Sequence, residues 1–172
     1  MDFLQLAKSR QSVRSFRKDD IPNEIVTKLL EAAQAAPSAG NRQPWLFYVI
    51  KNRALIEEIK EKSCKQPFIA EAPLLIVVCA DILRSVERYM QRGRELYCIQ
   101  DTAASIQNIL LCAHSEGLGA CWCGAFDERE LSVILSLEDE MRPLAIIPLG
   151  YPKEKSEKRG RRPLESIATF IL

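Results

Sequence analysis

LLIVVCA, residues 74–80, is the stretch whose reading decides the fold. Its hydrophobicity is continuous rather than alternating, so neither face of this strand meets water and other layers must cover it on both sides. Pro73 marks its start. Outward from it, LFYVI (46–50) and PLAIIPLGY (143–151) read as further buried strands, and ACWCGAF (120–126) as strand-like. Residues 2–9 suit a short helix that Asp2 caps and whose apolar face is Phe3, Leu4, Leu6 and Ala7. From Asn23, a stripe of Ile25, Val26, Leu29, Leu30 and Ala33 lies between Pro22 and Pro37, which bound a second helix. RALIEEIKEK (53–62) reads as an exposed helix with its charges outward, and DERELSVILSL opens with Asp127 as cap and Glu130 three positions on. From Cys98 to Ser115, Ile99, Ala103, Ile106, Leu110 and Ala113 fall at helical spacing, with Ile109, Leu111 and Cys112 adding apolar surface. This helix should be central and should stop at Gly117. The charged residues 84–97 fit no single element. The order is α, α, β, α, β, α, β, α, β, then a polar tail ending IATFIL. It predicts an α+β fold (α/β-like): a central, mostly antiparallel or mixed sheet flanked by helices, in one domain over residues 1–172.

At 172 residues and 47% hydrophobic composition the chain can build one real core. Residues 74–80 fall far short of the roughly 20 that span a bilayer. MDFLQLAKSR has no signal-peptide apolar core, so a cytoplasmic location and no membrane partner are expected. A net charge of +1, from 24 basic and 23 acidic residues, excludes a global field toward nucleic acid or membrane. Any anion site must be local. The six cysteines form no CxxC pair, and several lie in apolar segments, which predicts free buried thiols.

Four stretches could carry chemistry. In RQSVR (10–14), alternation puts Arg10, Ser12 and Arg14 on one side of an extended segment, where two guanidinium groups and a hydroxyl suit a phosphate. Taken alone, two arginines after a helix are more often a solvated surface. The tail KRGRRP (158–163) reads first as a solvated turn and otherwise as the second half of a phosphate clamp or a nucleic-acid patch, the last disfavoured because the rest of the chain supplies no basic face. APSAGNRQPW (36–45) is too long and too polar for an ordinary connection: Ser38, Asn41 and Gln43 offer neutral hydrogen-bonding groups, and Gly40 allows close approach, which suits a polar heterocycle. Trp45 then opens the strand as a core residue. GLGACWCGAF (117–126) could present backbone N–H groups to a flat ligand. Cys112, His114, Cys121 and Cys123 match no common zinc spacing, and one histidine without a GxSxG motif argues against a hydrolytic triad.

Together and in order, SRQSVRSF, APSAGNRQPWLFYVI, QDTAASIQNILLCAHSEGLGACWCGAF and LGYPKEKSEKRGRRPLESI resemble the FMN-dependent nitroreductase family, over about residues 3–168. The resemblance implies a homodimer with FMN at the subunit interface. It implies that Arg10, Ser12 and Arg14 hold the phosphate with Arg159 and Arg161, and that Pro37, Ser38 and Asn41 reach the flavin from the partner. Trp122, Cys123 and Gly124 would pass the flavin ring, a backbone N–H near Cys123 or Gly124 supporting N5, so that no side chain is catalytic and no metal is needed. The implied activity is ping-pong transfer from NAD(P)H to nitroaromatics, quinones or similar acceptors. Alternatives are a reductive dehalogenase or flavin-fragmenting enzyme of the same fold, or a flavin-binding protein without turnover. The apolar helix over 99–113 is the expected dimer interface, with IATFIL joining the partner's sheet. The chain is shorter than well-known members between Ala80 and Tyr97, which the resemblance takes to imply a more open or differently covered site.

Overall fold

The computed structural model describes residues 2–154 and 159–171. The regular elements, in chain order, are α1 (Phe3–Ser9), α2 (Asn23–Gln34), β1 (Trp45–Ile50), α3 (Arg53–Ile59), β2 (Leu74–Asp81), α4 (Ile82–Arg92), α5 (Cys98–Ser115), β3 (Gly119–Ala120), α6 (Glu128–Ile134) and β4 (Met141–Gly150). The sheet runs β1-β2-β4-β3 and all of its ladders are antiparallel. The fold is α+β, and the antiparallel alternative is the one adopted; Ser12 and Ala120 form only an isolated parallel bridge.

The unbroken hydrophobicity of β2 has a direct cause. Residues 74–80 are fully buried. On one face, Leu74, Ile76 and Val78 join Ala145, Ile147 and Leu149 of β4 beneath α2 and α5. On the other, Leu75, Val77, Cys79 and Ile146 pack with Ile56 and Ile59 of α3, Leu131 of α6, and the thiols of Cys64, Cys121 and Cys123. An antiparallel sheet commonly leaves one face wet; here helices cover both.

Local chemistry explains most element ends. Asp2 and Gln5 form a capping box on α1, and Asp127 accepts from the Glu130 N–H at 3.0 Å to start α6. Gly117 closes α5 at φ +76°, with the Leu118 N–H donating to the Ala113 carbonyl at 2.8 Å.

Four elements differ from the sequence reading. β1 is an edge strand rather than a buried one, leaving Leu46 and Val49 about two-fifths exposed. The 53–62 helix is half-buried: Ile56 and Ile59 enter the core, and after Ile59 the chain widens into a π turn over Lys60–Cys64. Arg53 pins this element by donating to the carbonyls of Ala70 and Ala72. ACWCGAF is a regular strand only at its start: beyond Ala120 it meets β4 at a long bond from the Cys121 N–H to the Pro148 carbonyl, 3.4 Å, and at the isolated Cys123–Ile146 bridge. Residues 84–97, unassigned from sequence, fall in α4, capped by Asp81, and in a π turn over Gly93–Tyr97 that runs straight into α5. Gly93 is obligatory there, since a Cβ would lie 2.4 Å from the Ser85 carbonyl oxygen.

The N-terminal extended segment is stitched to the sheet's end. The Val13 N–H donates to the Ala120 carbonyl at 2.9 Å, Arg17 to Tyr151 at 2.9 Å, and Lys153 to Ser15 at 3.1 Å. A Cβ at Gly119 would lie 2.7 Å from the Val13 side chain, so the close approach of 10–14 to β3 requires glycine. Gly119→Ala should therefore destabilise the fold by about 1–3 kcal/mol, and Val13→Ala in the same chain should recover part of the loss. Denaturant midpoints of the two single variants and the double variant check this, and simple additivity would contradict it.

Candidate functional site

α5 fixes where the candidate motifs stand. Near its N-terminus, Asp101 Oδ1 accepts from the Ala39 N–H at 3.0 Å and so anchors the 36–45 loop. In its last turn, His114 Nε2 lies 2.8 Å from Ser9 Oγ, the residue before Arg10. Asp101 and His114 are thirteen positions apart, about 20 Å along a helix. The sheet agrees. Trp45 pairs with Ala80 and Ala80 with Arg142, whereas Ala120 pairs with Leu149, roughly 24 Å farther along β4. The loop and the arginine segment therefore occupy opposite ends of the protomer.

At the His114 end, Arg10, Ser12 and Arg14 lie along the extended segment, opposite the buried Val13. Arg14 is exposed with its guanidinium 5.9 Å from the Phe68 ring centroid, and neither Arg10 nor Arg14 has a carboxylate partner among the described residues. Ser12 bridges Ala120, which sets this segment beside GACWCG. Burial and then the nearby Arg10 hold His114 below the ordinary histidine pKa.

The Cys123 N–H is committed to the Ile146 carbonyl at 3.0 Å, and the Cys123 carbonyl accepts from Ile146 in return. The Gly124 N–H has no such partner among the described residues, Gly124 is exposed, and Trp122 beside it is 40% exposed. Of the two amides expected at a flavin edge, only that of Gly124 is available.

The loop at the Asp101 end is held tightly by its own groups. Ser38 Oγ accepts from the Gln43 N–H at 2.9 Å, and the Asn41 N–H donates to the Ser38 carbonyl at 3.0 Å. Gly40, Asn41 and Gln43 all adopt positive φ, near +50°, a conformation uncommon outside glycine. Pro37 and Asn41 are exposed. Asp101 is buried, its carboxyl is raised by burial against the lowering effect of the Ala39 N–H, and its Oδ2 has no partner among the described residues.

The short 80–97 region closes on this loop. Arg42 Nε donates to the Arg84 carbonyl at 2.6 Å, Arg84 Nε returns a bond to the Arg42 carbonyl at 2.9 Å, and Arg42 pairs with Glu87. Tyr89 stands over Gly40, where a Cβ would meet its hydroxyl at 2.5 Å.

Arg159 and Arg161 are exposed, and among the described residues no hydrogen bond joins them to Arg10, Ser12 or Arg14; Arg161 bonds the Arg159 and Gly160 carbonyls. Lys158, the first residue of the basic tail, lies outside the described residues. The Cys112, His114, Cys121, Cys123 group is dispersed: Cys112 reaches toward the Lys28 carbonyl, His114 toward Ser9, and the other two thiols lie on the sheet's opposite face. Sequence reading passed over Asp101, Ser9 and Arg42. Only Asp101 carried a signal, as a lone acid on an otherwise apolar helix.

Comparison with known proteins gives the class. The Nitroreductase family model matches residues 7–65 and 59–151, and the chain belongs to that family. It is 37% identical over 163 residues, 92% of this chain and 82% of the relative, to a protein of Methanothermobacter thermautotrophicus assigned provisionally as an NADH dehydrogenase/NAD(P)H nitroreductase. It is 27% identical to the FMN reductase [NAD(P)H] of Bacillus subtilis, over 91% of this chain and 68% of that one, and 29% identical to the iodotyrosine deiodinase of Thermotoga neapolitana, over 91% of each. The crystal structure of a nitroreductase family protein from Clostridium difficile superposes with a TM-score of 0.87 at 30% identity, over 99% of this chain and 98% of that one.

Two outcomes follow from the ends of α5. Asp101→Ala strands the Ala39 amide and should cost about 1–3 kcal/mol, read by chemical denaturation, with loss of hydrogen-exchange protection confined first to residues 38–43. Because the folded pKa of His114 is depressed, the unfolded chain binds the proton first as pH falls. Its contribution to stability is complete above the unfolded value of about 6.5 and is lost below it. Melting temperatures of His114→Gln should fall less steeply than wild type between pH 7 and pH 5.

Proposed function

We propose that this chain is a homodimeric FMN enzyme in which each flavin is held by the arginine segment of one protomer and the 36–45 loop of its partner. The class is that of the family: an NAD(P)H-dependent oxidoreductase with FMN as cofactor. The observation that carries the dimer reading is the separation of the two motifs by about 20 Å along α5. One chain cannot close both onto one ligand. Two copies of α5 packed antiparallel about a twofold axis bring the Asp101 end of one beside the His114 end of the other. Exposed Ile99, Leu164, Ile167, Phe170 and Ile171 supply apolar surface for such a contact.

The residues present fit the cofactor. Arg10 and Arg14, without carboxylate partners, and the Ser12 hydroxyl form a donor set for a phosphate. Arg159 and Arg161 would join from the tail. Gly124 offers an exposed backbone with an uncommitted N–H to the N5 edge, and Trp122 flanks it. The partner subunit's Pro37, Ser38 and Asn41 form the opposite wall, with Gly40 giving clearance. When bound, FMN supplies the two-electron exchange in which NAD(P)H and then a nitroaromatic, quinone or similar acceptor occupy the same place. The chain's own part is to hold the phosphate, to aim the Gly124 amide, and to keep the loop rigid through Asp101 and Arg42. No side-chain acid or base is required. A reductive dehalogenase is the second reading, favoured by the likeness to an iodotyrosine deiodinase.

Purified protein should be yellow and bleach with NADH or NADPH under anaerobic conditions; a flavin colour that neither nicotinamide bleaches would leave only a flavin-binding protein. A panel of nitroaromatic, quinone and halophenol acceptors then separates reductase from dehalogenase. Arg14→Ala and Asn41→Leu should each weaken FMN retention, read by fluorescence quenching. Unfolding and co-refolding the two variants together should restore one intact site per heterodimer. Absence of that restoration, or a monomeric mass by light scattering, would show that both motifs serve one chain.

A further inference from the structure

The loop at the Asp101 end has a neighbour to which the proposed reading assigns no ligand. Between Ile82 and Tyr97, α4 and the π turn after it carry four arginines against two glutamates, in a chain whose net charge is only +1. Both glutamates are engaged: Glu87 pairs with Arg42, and Glu95 accepts from Gln91. Arg94 pairs with Glu140 at 2.9 Å, and Arg84 is tied to the Arg42 carbonyl. Arg88 and Arg92 are exposed, and neither has a carboxylate partner among the described residues. Two positive charges therefore stand uncompensated on one segment, in a molecule without a general excess of them.

One pair of rings holds both of them. Tyr89 and Tyr97 meet edge to face with their centroids 4.9 Å apart. The Arg88 guanidinium lies 5.7 Å from the Tyr89 centroid and the Arg92 guanidinium 5.2 Å from that of Tyr97, and Arg92 Nε donates to the Tyr97 hydroxyl at 2.9 Å. Such contacts fix a guanidinium while most of its five N–H donors stay uncommitted. Met90, between the two arginines, leaves helical geometry at φ +49° and ψ −133° and is 72% exposed. Backbone strain of this kind clusters at ligand-binding segments, where the surrounding structure enforces it. The same group touches the loop: a Cβ at Gly40 would lie 2.5 Å from the Tyr89 hydroxyl and 3.3 Å from Arg88 Cδ and Nε.

We propose that Arg88 and Arg92, held on the Tyr89–Tyr97 pair, are specificity-determining residues that bind the carboxylate of a planar anionic acceptor, so that carboxylate-bearing nitroaromatics or quinones are preferred over their neutral counterparts. This rests on the reading of the 36–45 loop as one wall of the flavin site. The residues that touch Gly40 then stand at the edge of that wall, beside the place the acceptor occupies. A guanidinium presents parallel N–H groups that a planar carboxylate accepts as a pair, and stacking on a ring orients it before the ligand arrives. The half-buried tyrosine rings offer apolar surface to the acceptor's own ring. The loop itself contributes neutral Ser38, Asn41 and Gln43, and Arg42 is neutralised by Glu87. Discrimination by charge therefore falls to Arg88 and Arg92, which take no part in the electron transfer.

The test uses the full chain loaded with FMN and compares para-nitrobenzoate with its neutral analogue para-nitrobenzamide. Equilibrium binding is read from the perturbation of the oxidised flavin spectrum, and KM and kcat from turnover with NADH. Wild type should bind nitrobenzoate the more tightly, and added salt should erode that preference. With Arg88→Gln and Arg92→Gln combined, the ratio of the two dissociation constants should fall about tenfold, with the loss in KM rather than kcat. Arg88→Lys with Arg92→Lys should recover part of it. FMN retention shows that each variant is folded; if the double variant loses its fold, the same ratio in each single variant decides. Equal affinity for the two ligands in wild type, or a ratio that the glutamine variants leave as it is, would overturn the proposal while the FMN reading stands. A loss confined to NADPH, with the acceptor ratio unchanged, would overturn it in the same way. Wild-type protein that retains no FMN would overturn the functional reading, and this proposal with it.

Discussion

Burial of β2 on both faces is the constraint from which the other features follow, because a strand apolar on every residue must be covered twice. α2 and α5 cover one side; α3, α6 and the 119–126 segment cover the other. That requirement sets α5 across the sheet, and α5 in turn carries the anchors for the 36–45 loop at one end and for the arginine segment at the other. The spacing of the two motifs is therefore a consequence of core packing. It is also what makes a single protomer insufficient for one flavin site under the proposed reading.

Polar groups inside such a core are few among the described residues, and Asp101 is the one that grips a loop. Asp101 spends one carboxylate oxygen on the Ala39 amide and leaves the other without a partner among the described residues, a costly arrangement that holds a loop with three residues in left-handed conformation. Arg42 and α4 hold the same loop from outside, so its polar residues are stiff before any ligand arrives. Stiffness of this kind lowers the ordering cost of binding. The short 80–97 region, which looked like a missing cover, is instead the brace for the loop.

Strand β3 shows how sequence and structure part company. ACWCGAF has strand composition throughout, but only Gly119 and Ala120 keep the ladder, because Gly119 must admit Val13 and the following residues turn to meet β4 again at Ile146. Departure from the ladder leaves the Gly124 amide without a backbone partner among the described residues. The exposed face of β1 and the buried half of α3 were illegible for a related reason: edge position and helix contacts are set by neighbours far along the chain.

What the residues alone determined was local: the caps at Asp2 and Asp127, the stop at Gly117, the two-faced burial of 74–80, the helix over 98–115, and four motifs in family order. Periodicity, capping and glycine conformations act over a few residues, so they survive translation from sequence to structure. Tertiary structure alone decided distances: that Ser12 lies against Ala120, that Cys123 commits its amide while Gly124 does not, that Asp101 grips Ala39, and that the loop and the arginines stand at opposite ends of α5. The physical reason is that these are contacts between residues from 23 to 108 positions apart, and only the closed, double-sided core brings them to one place.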